Sequence, residues 1–91
     1  MNQLHKELGN LIRDFRQKSG MSQLQLAHRL GYDSPQFVSL FERGVSKVPF
    51  NILGKLIVVL GIPEKKIVKS IIQAYETEIK KQINSGKKAA H

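Results

Sequence analysis

The stretch that decides the fold is SQLQLAHRLGYDSPQFVSLFERG, residues 22–44. Ser22 is a good helix N-cap, because its hydroxyl can accept from a backbone amide of the first turn. Leu26, Ala27 and Leu30 then recur at helical spacing and form an inner face. Gly31 ends this segment. A second short helix is predicted over residues 35–43, with Pro35 at its first position, where no amide donor is needed. Ser34 or Asp33 can cap it. Phe37, Val38 and Phe41 are expected to point inward, Gln36, Ser39 and Arg43 outward, with Leu40 at the border; Gly44 ends the helix. Tyr32 is expected to pack in the turn.

Two helices of about two turns, joined by a tight turn carrying a glycine, make the pattern of a helix-turn-helix over residues 22–43. The physics of that motif asks for three things. The second helix must be short enough to lie in a major groove about 12 Å wide. The two helices must cross closely, which a small residue at the contact allows, here Ala27. The outer face of the second helix must be polar enough to read base edges.

The flanks supply the rest of an all-α domain of five helices. In residues 4–18 the apolar positions Leu4, Leu8, Leu11, Ile12 and Phe15 share one face, and Ser19-Gly20 stops the helix. Residues 49–60 are predicted to be a fourth helix with Phe50, Leu53, Leu56, Ile57 and Leu60 inward, and Gly54 inside it is expected to mark a close backbone approach. Gly61-Ile62-Pro63 is a stop followed by a start. A long fifth helix is predicted over residues 63–84, carrying Ile67, Val68, Ile71, Ile72, Tyr75, Ile79 and Ile83; residues 85–91 read as a flexible basic tail. The chain thus divides into a core of residues 1–62, a C-terminal amphipathic helix of residues 63–84 and the tail. No strand pattern or internal repeat competes.

Composition narrows the function. The chain has 91 residues, 41% of them hydrophobic, which suits one small domain and leaves little room for an enzyme cleft. A net charge of +8 fits an anionic partner. The charge is unevenly placed. Within residues 21–44, Arg29 and Arg43 balance Asp33 and Glu42, whereas residues 61–91 are lysine-rich. Attraction to an anion must therefore come largely from outside the motif. Lys87 and Lys88 could trail onto a nucleic-acid backbone or simply aid solubility. With no cysteine, a disulfide scaffold, a thiolate metal site and a cysteine nucleophile are excluded. His5, His28 and His91 are too scattered to ligate a metal together. No catalytic constellation or phosphate loop is present, so neither enzymatic activity nor a cofactor is expected. The most apolar run, residues 52–62, contains Lys55 and is too short to span a bilayer. A cytoplasmic protein is the expectation.

The motif resembles the Cro-type, phage-repressor-like helix-turn-helix family, also called the xenobiotic-response-element family. The residues that carry the resemblance are Ser22-Gln23, Leu26-Ala27, Gly31 and Val38-Ser39-Leu40-Phe41-Glu42-Arg43-Gly44, with Arg16 before them and Lys47 and the Leu53/Leu56/Leu60 helix after them. It covers roughly residues 4–62. Between Gly31 and Val38 the chain has one residue more than the commonest spacing, which lengthens the turn and shifts the start of the second helix. Pro49 falls one position later than the family's usual proline.

The resemblance implies double-stranded DNA as the partner and a bacterial or phage setting. Gln36 is the leading base reader, because an outward glutamine in the first turn can pair bidentately with adenine. Pro35 is a further base-reading candidate, and Ser39, one turn further along the same face, can reach a base or a phosphate. Leu40 is another, either touching a thymine methyl or half-buried against the fourth helix. Arg43 and Lys47 are assigned to phosphates, as is Gln23 at an anion-attracting helix N-terminus. Ser22 is a weaker phosphate candidate, better suited to capping. The resemblance implies that Glu42 pairs with Arg16, locking the second motif helix to the first helix and aiming Arg16 outward. In the fifth helix, residues 67–72 are expected to close the core. Ile72, Tyr75, Ile79 and Ile83 either form a homodimer interface or fold back on their own domain. A two-fold dimer would set two reader helices about 34 Å apart on a near-palindromic site. The expected function is a sequence-specific transcriptional regulator, a repressor more readily than an activator, with polymerase a further partner. The alternative is an antitoxin that binds a toxin through the fifth helix and autoregulates its operon.

Overall fold

The structure, a computed structural model, describes residues 2–90, with side chains from residue 5 onward. Leu4 and His91 lie outside the described side chains. Among the described residues five helices follow one another: α1 (Asn2–Lys18), α2 (Gln23–Leu30), α3 (Gln36–Glu42), α4 (Phe50–Leu60) and α5 (Glu64–Ala89). α1 is the central strut, packing on α3, α4 and α5, while α2 lies against α3 and α4. The core holds Ile12 of α1, Leu26, Ala27 and Leu30 of α2, Val38 of α3 and Leu56 of α4, each no more than 2% exposed. Ala27 sits without any exposed surface where α2 meets its neighbours, so a longer side chain there would push the two motif helices apart.

Glycines in the left-handed conformation close α2 and α4, at Gly31 (φ 94°) and Gly61 (φ 68°). The start of α3 differs from the expectation. Pro35 is its N-cap, and neither Ser34 nor Asp33 caps it, because the cap position makes no side-chain hydrogen bond. Pro35, which occupies the cap, has no hydroxyl or carboxylate to offer the first-turn amides.

Two inward assignments are corrected. Phe50 is 74% exposed, and Ile52 takes its place beside Leu56 and Leu60. α4 is apolar everywhere except Asn51, Gly54 and Lys55, so periodicity alone does not select its buried face; packing against α1 and α2 does. Phe37 is 47% exposed, because it lies on the flank of α3 against Tyr32 rather than under the helix.

The close backbone approach is also elsewhere. A Cβ at Gly54 would meet nothing within 4 Å. At Gly9, by contrast, it would run into the carbonyl oxygen of Phe41 and lie 2.8 Å from that of Glu42. α1 therefore crosses the end of α3 at a distance only glycine permits.

α5 is longer than the sequence predicts. It continues through Ser85-Gly86 to Ala89, and Gly86 does not take a positive φ. Lys87 and Lys88 in its last turn complement the negative end of the helix dipole. Ile67 and Ala74 of α5 are buried and Ile71 packs on the core, but Val68 and Ile72, expected to help close it, are 46% and 57% exposed. Every residue from 79 to 90 is exposed, and the molecule is 52 Å in its longest dimension against 25 and 21 Å in the others.

Candidate nucleic-acid interface

At the junction of α1, α2 and α3 lies Glu42, a carboxylate only 3% exposed. Arg16 reaches it with a fork. Its Nε donates to Oε2 at 2.6 Å and its Nη2 to Oε1 at 3.0 Å. Such a bidentate pair fixes orientation as well as charge. The third guanidinium nitrogen, Nη1, donates to the carbonyl of Met21 at 2.9 Å, which pins the chain just ahead of α2 and holds Arg16 inward rather than aimed outward as expected, its side chain 12% exposed. Gln23 closes the cluster, its Nε2 donating to Glu42 Oε1 at 3.0 Å. Among the described residues no buried side-chain nitrogen or oxygen is left without a partner. An acidic residue in a potential DNA-reading helix is thus turned inward and neutralised, and three helices are tied at one point.

The Gln23 and Met21 links were not legible in the sequence. Gln23 and Glu42 are 19 residues apart, and no local pattern joins them. The link also bears on Gln23 itself, since one amide hydrogen is held by Glu42, leaving the other and the carbonyl oxygen for an outside partner. Ser22 acts as a cap: its hydroxyl accepts from the Gln25 amide at 3.0 Å, and Gln25 Oε1 accepts from the Ser22 amide at 2.8 Å. This reciprocal box fixes the start of α2.

With Val38, Phe41 and Glu42 turned inward, helical geometry puts Gln36, Ser39, Leu40 and Arg43 on the opposite side of α3. Gln36 and Arg43 are exposed, Ser39 and Leu40 half-buried, and Pro35 is exposed at the N-cap. Arg43 makes one long hydrogen bond to the carbonyl of Ser39, at 3.4 Å. Lys47, in the loop after α3, is exposed with its ammonium 5.1 Å from the Phe50 ring centroid, a cation–π distance. The outer face of α3 therefore carries amide, hydroxyl, apolar and cationic groups, and no carboxylate.

On α5, Val68, Ile72, Tyr75, Ile79 and Ile83 are each between 46% and 57% exposed. Their steps of three and four residues put them on one stripe. Beside it a groove of about 230 Å³ opens between Leu8, Val48, Leu53, Ile71 and Tyr75, with Phe50 at its rim. Among the described residues no group of three or more His, Cys, Asp or Glu could hold a metal ion, and no helix is long and apolar enough to cross a membrane.

The fold has counterparts among known structures. The chain is similar in structure to the clp gene regulator ClgR from Corynebacterium glutamicum, with a TM-score of 0.67 at 22% identity over 97% of this chain and 94% of that one. A second crystal structure of ClgR from C. glutamicum aligns with a TM-score of 0.62 at 28% identity, covering 81% of this chain and 91% of that chain. No curated protein sequence matches the chain. The helix-turn-helix family model matches residues 12–67, which takes in Arg16, the whole motif and the start of α5. The chain belongs to the Cro/C1-type helix-turn-helix family of DNA-binding proteins.

Proposed function

We propose that the protein is a transcriptional regulator that reads a near-palindromic operator as a dimer and represses by occupying it. The observation that carries this reading is the inward-held Glu42, which leaves α3 an outer face able to approach DNA without a like-charge penalty. Family membership and the likeness to a protein described as a clp gene regulator support it. Gln36 reads a base edge, with Pro35, Ser39 and Leu40 beside it, while Arg43, Lys47 and the remaining amide hydrogen of Gln23 hold phosphates. Ser22 serves chiefly to hold α2 in place for that contact. The setting is the cytoplasm of a bacterium or a phage host.

Arg43→Gln and Lys47→Gln test the phosphate roles. Each is expected to weaken binding to specific and non-specific duplexes alike, and to flatten the slope of log K against log salt by about one per protomer. An unchanged slope in fluorescence-anisotropy titrations would remove the residue from the interface.

The α5 stripe is the dimer contact in this reading. A single exposed apolar stripe on a helix that outruns its own domain is unfavourable in water, and a second copy related by a two-fold axis covers both stripes at once. Ile79→Glu/Ile83→Glu is expected to raise the dimer dissociation constant at least about a hundredfold, since each apolar contact is replaced by a charge facing its like. Sedimentation velocity at tens of micromolar reads this directly; a monomeric wild-type chain would contradict the dimer. The same stripe supports the antitoxin alternative, in which a toxin covers it and a toxin gene lies beside the coding gene.

A further inference from the structure

The reading helix begins with an aromatic ring that the core does not enclose. Phe37 stacks on Tyr32 with centroids 4.9 Å apart and planes 26° from parallel. Both rings lean on Phe41, each with its centroid 6.2 Å away. Phe41 is 2% exposed and anchors the cluster, whereas Phe37, at its outer end, is 47% exposed. Tyr32 lies in the turn between Gly31 and α3, so the turn supplies the backing for the ring. Phe37 is thus held from behind, and pays little entropy for a contact on its free side.

Its position decides what that contact can be. Phe37 follows Gln36 in the first turn of α3, and Leu40, half-buried, lies one turn further along the same flank. An amide and an apolar strip are therefore set side by side. An A·T pair shows the same juxtaposition in the major groove, where the adenine N6/N7 edge lies beside the thymine C5 methyl. We infer that Phe37 is a specificity-determining residue, its free face packing on a thymine C5 methyl next to the base read by Gln36. The inference rests on the operator-reading function proposed above. It makes the site prefer T over C and over uracil at one position of each half-site.

The test uses the full chain and synthetic duplexes. A random duplex library is selected with the wild type, Phe37→Ala and Phe37→Leu, and all three are checked for cooperative unfolding. The best wild-type duplex is then remade with each thymine in turn replaced by deoxyuridine, which removes the methyl and nothing else. The expected result is one thymine per half-site whose methyl is worth about fourfold in wild-type affinity, the size of one buried methyl group. Phe37→Ala should lose affinity for the thymine duplex and be indifferent to that methyl. Phe37→Leu, which keeps an apolar body, should retain part of the sensitivity. If the wild type selects a motif but methyl removal affects it and Phe37→Ala equally at every position, the inference is overturned while operator reading stands. If the wild type selects no motif, both fall together.

Discussion

Replacing Arg16 with methionine is expected to destabilise the domain by about 3 kcal/mol and to lower operator affinity with it. Methionine keeps the apolar stem but removes two hydrogen bonds to Glu42 and one to the Met21 carbonyl. The Arg16 and Glu42 side chains are only 12% and 2% exposed, so water does not replace the lost donors. Gln23 remains as the carboxylate's sole described side-chain partner. A small domain has about 5–15 kcal/mol of stability in all, so the loss is a large share of it. The mechanism has its own signature. Adding Glu42→Gln to Arg16→Met removes the stranded charge, so the double variant should be more stable than the two single losses predict, by about 1–2 kcal/mol. Urea unfolding of the four proteins gives the cycle. Additive losses, or an Arg16→Met variant unchanged in stability and DNA affinity, would show that the pair does not hold α3 in place.

Gly44→Ala should cost about 3 kcal/mol, and Gly20→Ala only about 1 kcal/mol. Both glycines have a φ of 72°, so both alanines bear the strain of the left-handed region. They differ in surroundings. A Cβ at Gly20 meets nothing within 4 Å, whereas at Gly44 it would lie 2.8 Å from the Cα of Lys6. Relief would require α1 to move off the end of α3, the same crossing that Gly9 makes possible. The difference between the two melting curves isolates that crossing, and equal shifts would mean that α1 can yield there without cost.

The helices and their order were readable because each carries its own punctuation. Ser22 and Gly31 bound α2, and Gly61-Ile62-Pro63 separates α4 from α5. Periodicity found the inner face of α2 because Leu26, Ala27 and Leu30 cluster on one side, while Leu24 stands alone and is 43% exposed. It failed at Phe50, since almost every position of α4 is apolar and tertiary packing chooses the face. It failed at Phe37 because a ring can leave the core when a neighbouring ring, Tyr32, gives it a place on the flank. The hydrogen bond from Gln23 to Glu42 and the tight crossing at Gly9 join segments distant in sequence, and nothing local announces either. Gly54 shows the converse: an interior glycine that suggests a contact and has none. For the interface, the sequence supplied the outward residues of α3, and the structure adds why its one acid does not oppose them.

The most direct test of operator reading is selection of bound fragments from the source genome by the purified protein, followed by sequencing, with Gln36→Ala as the control. One inverted repeat is expected, with half-sites a DNA turn apart, lost or relaxed at a single adenine position in the variant. Salt-sensitive binding with no motif, identical in wild type and Gln36→Ala, would contradict it and leave only charge acting on the DNA backbone.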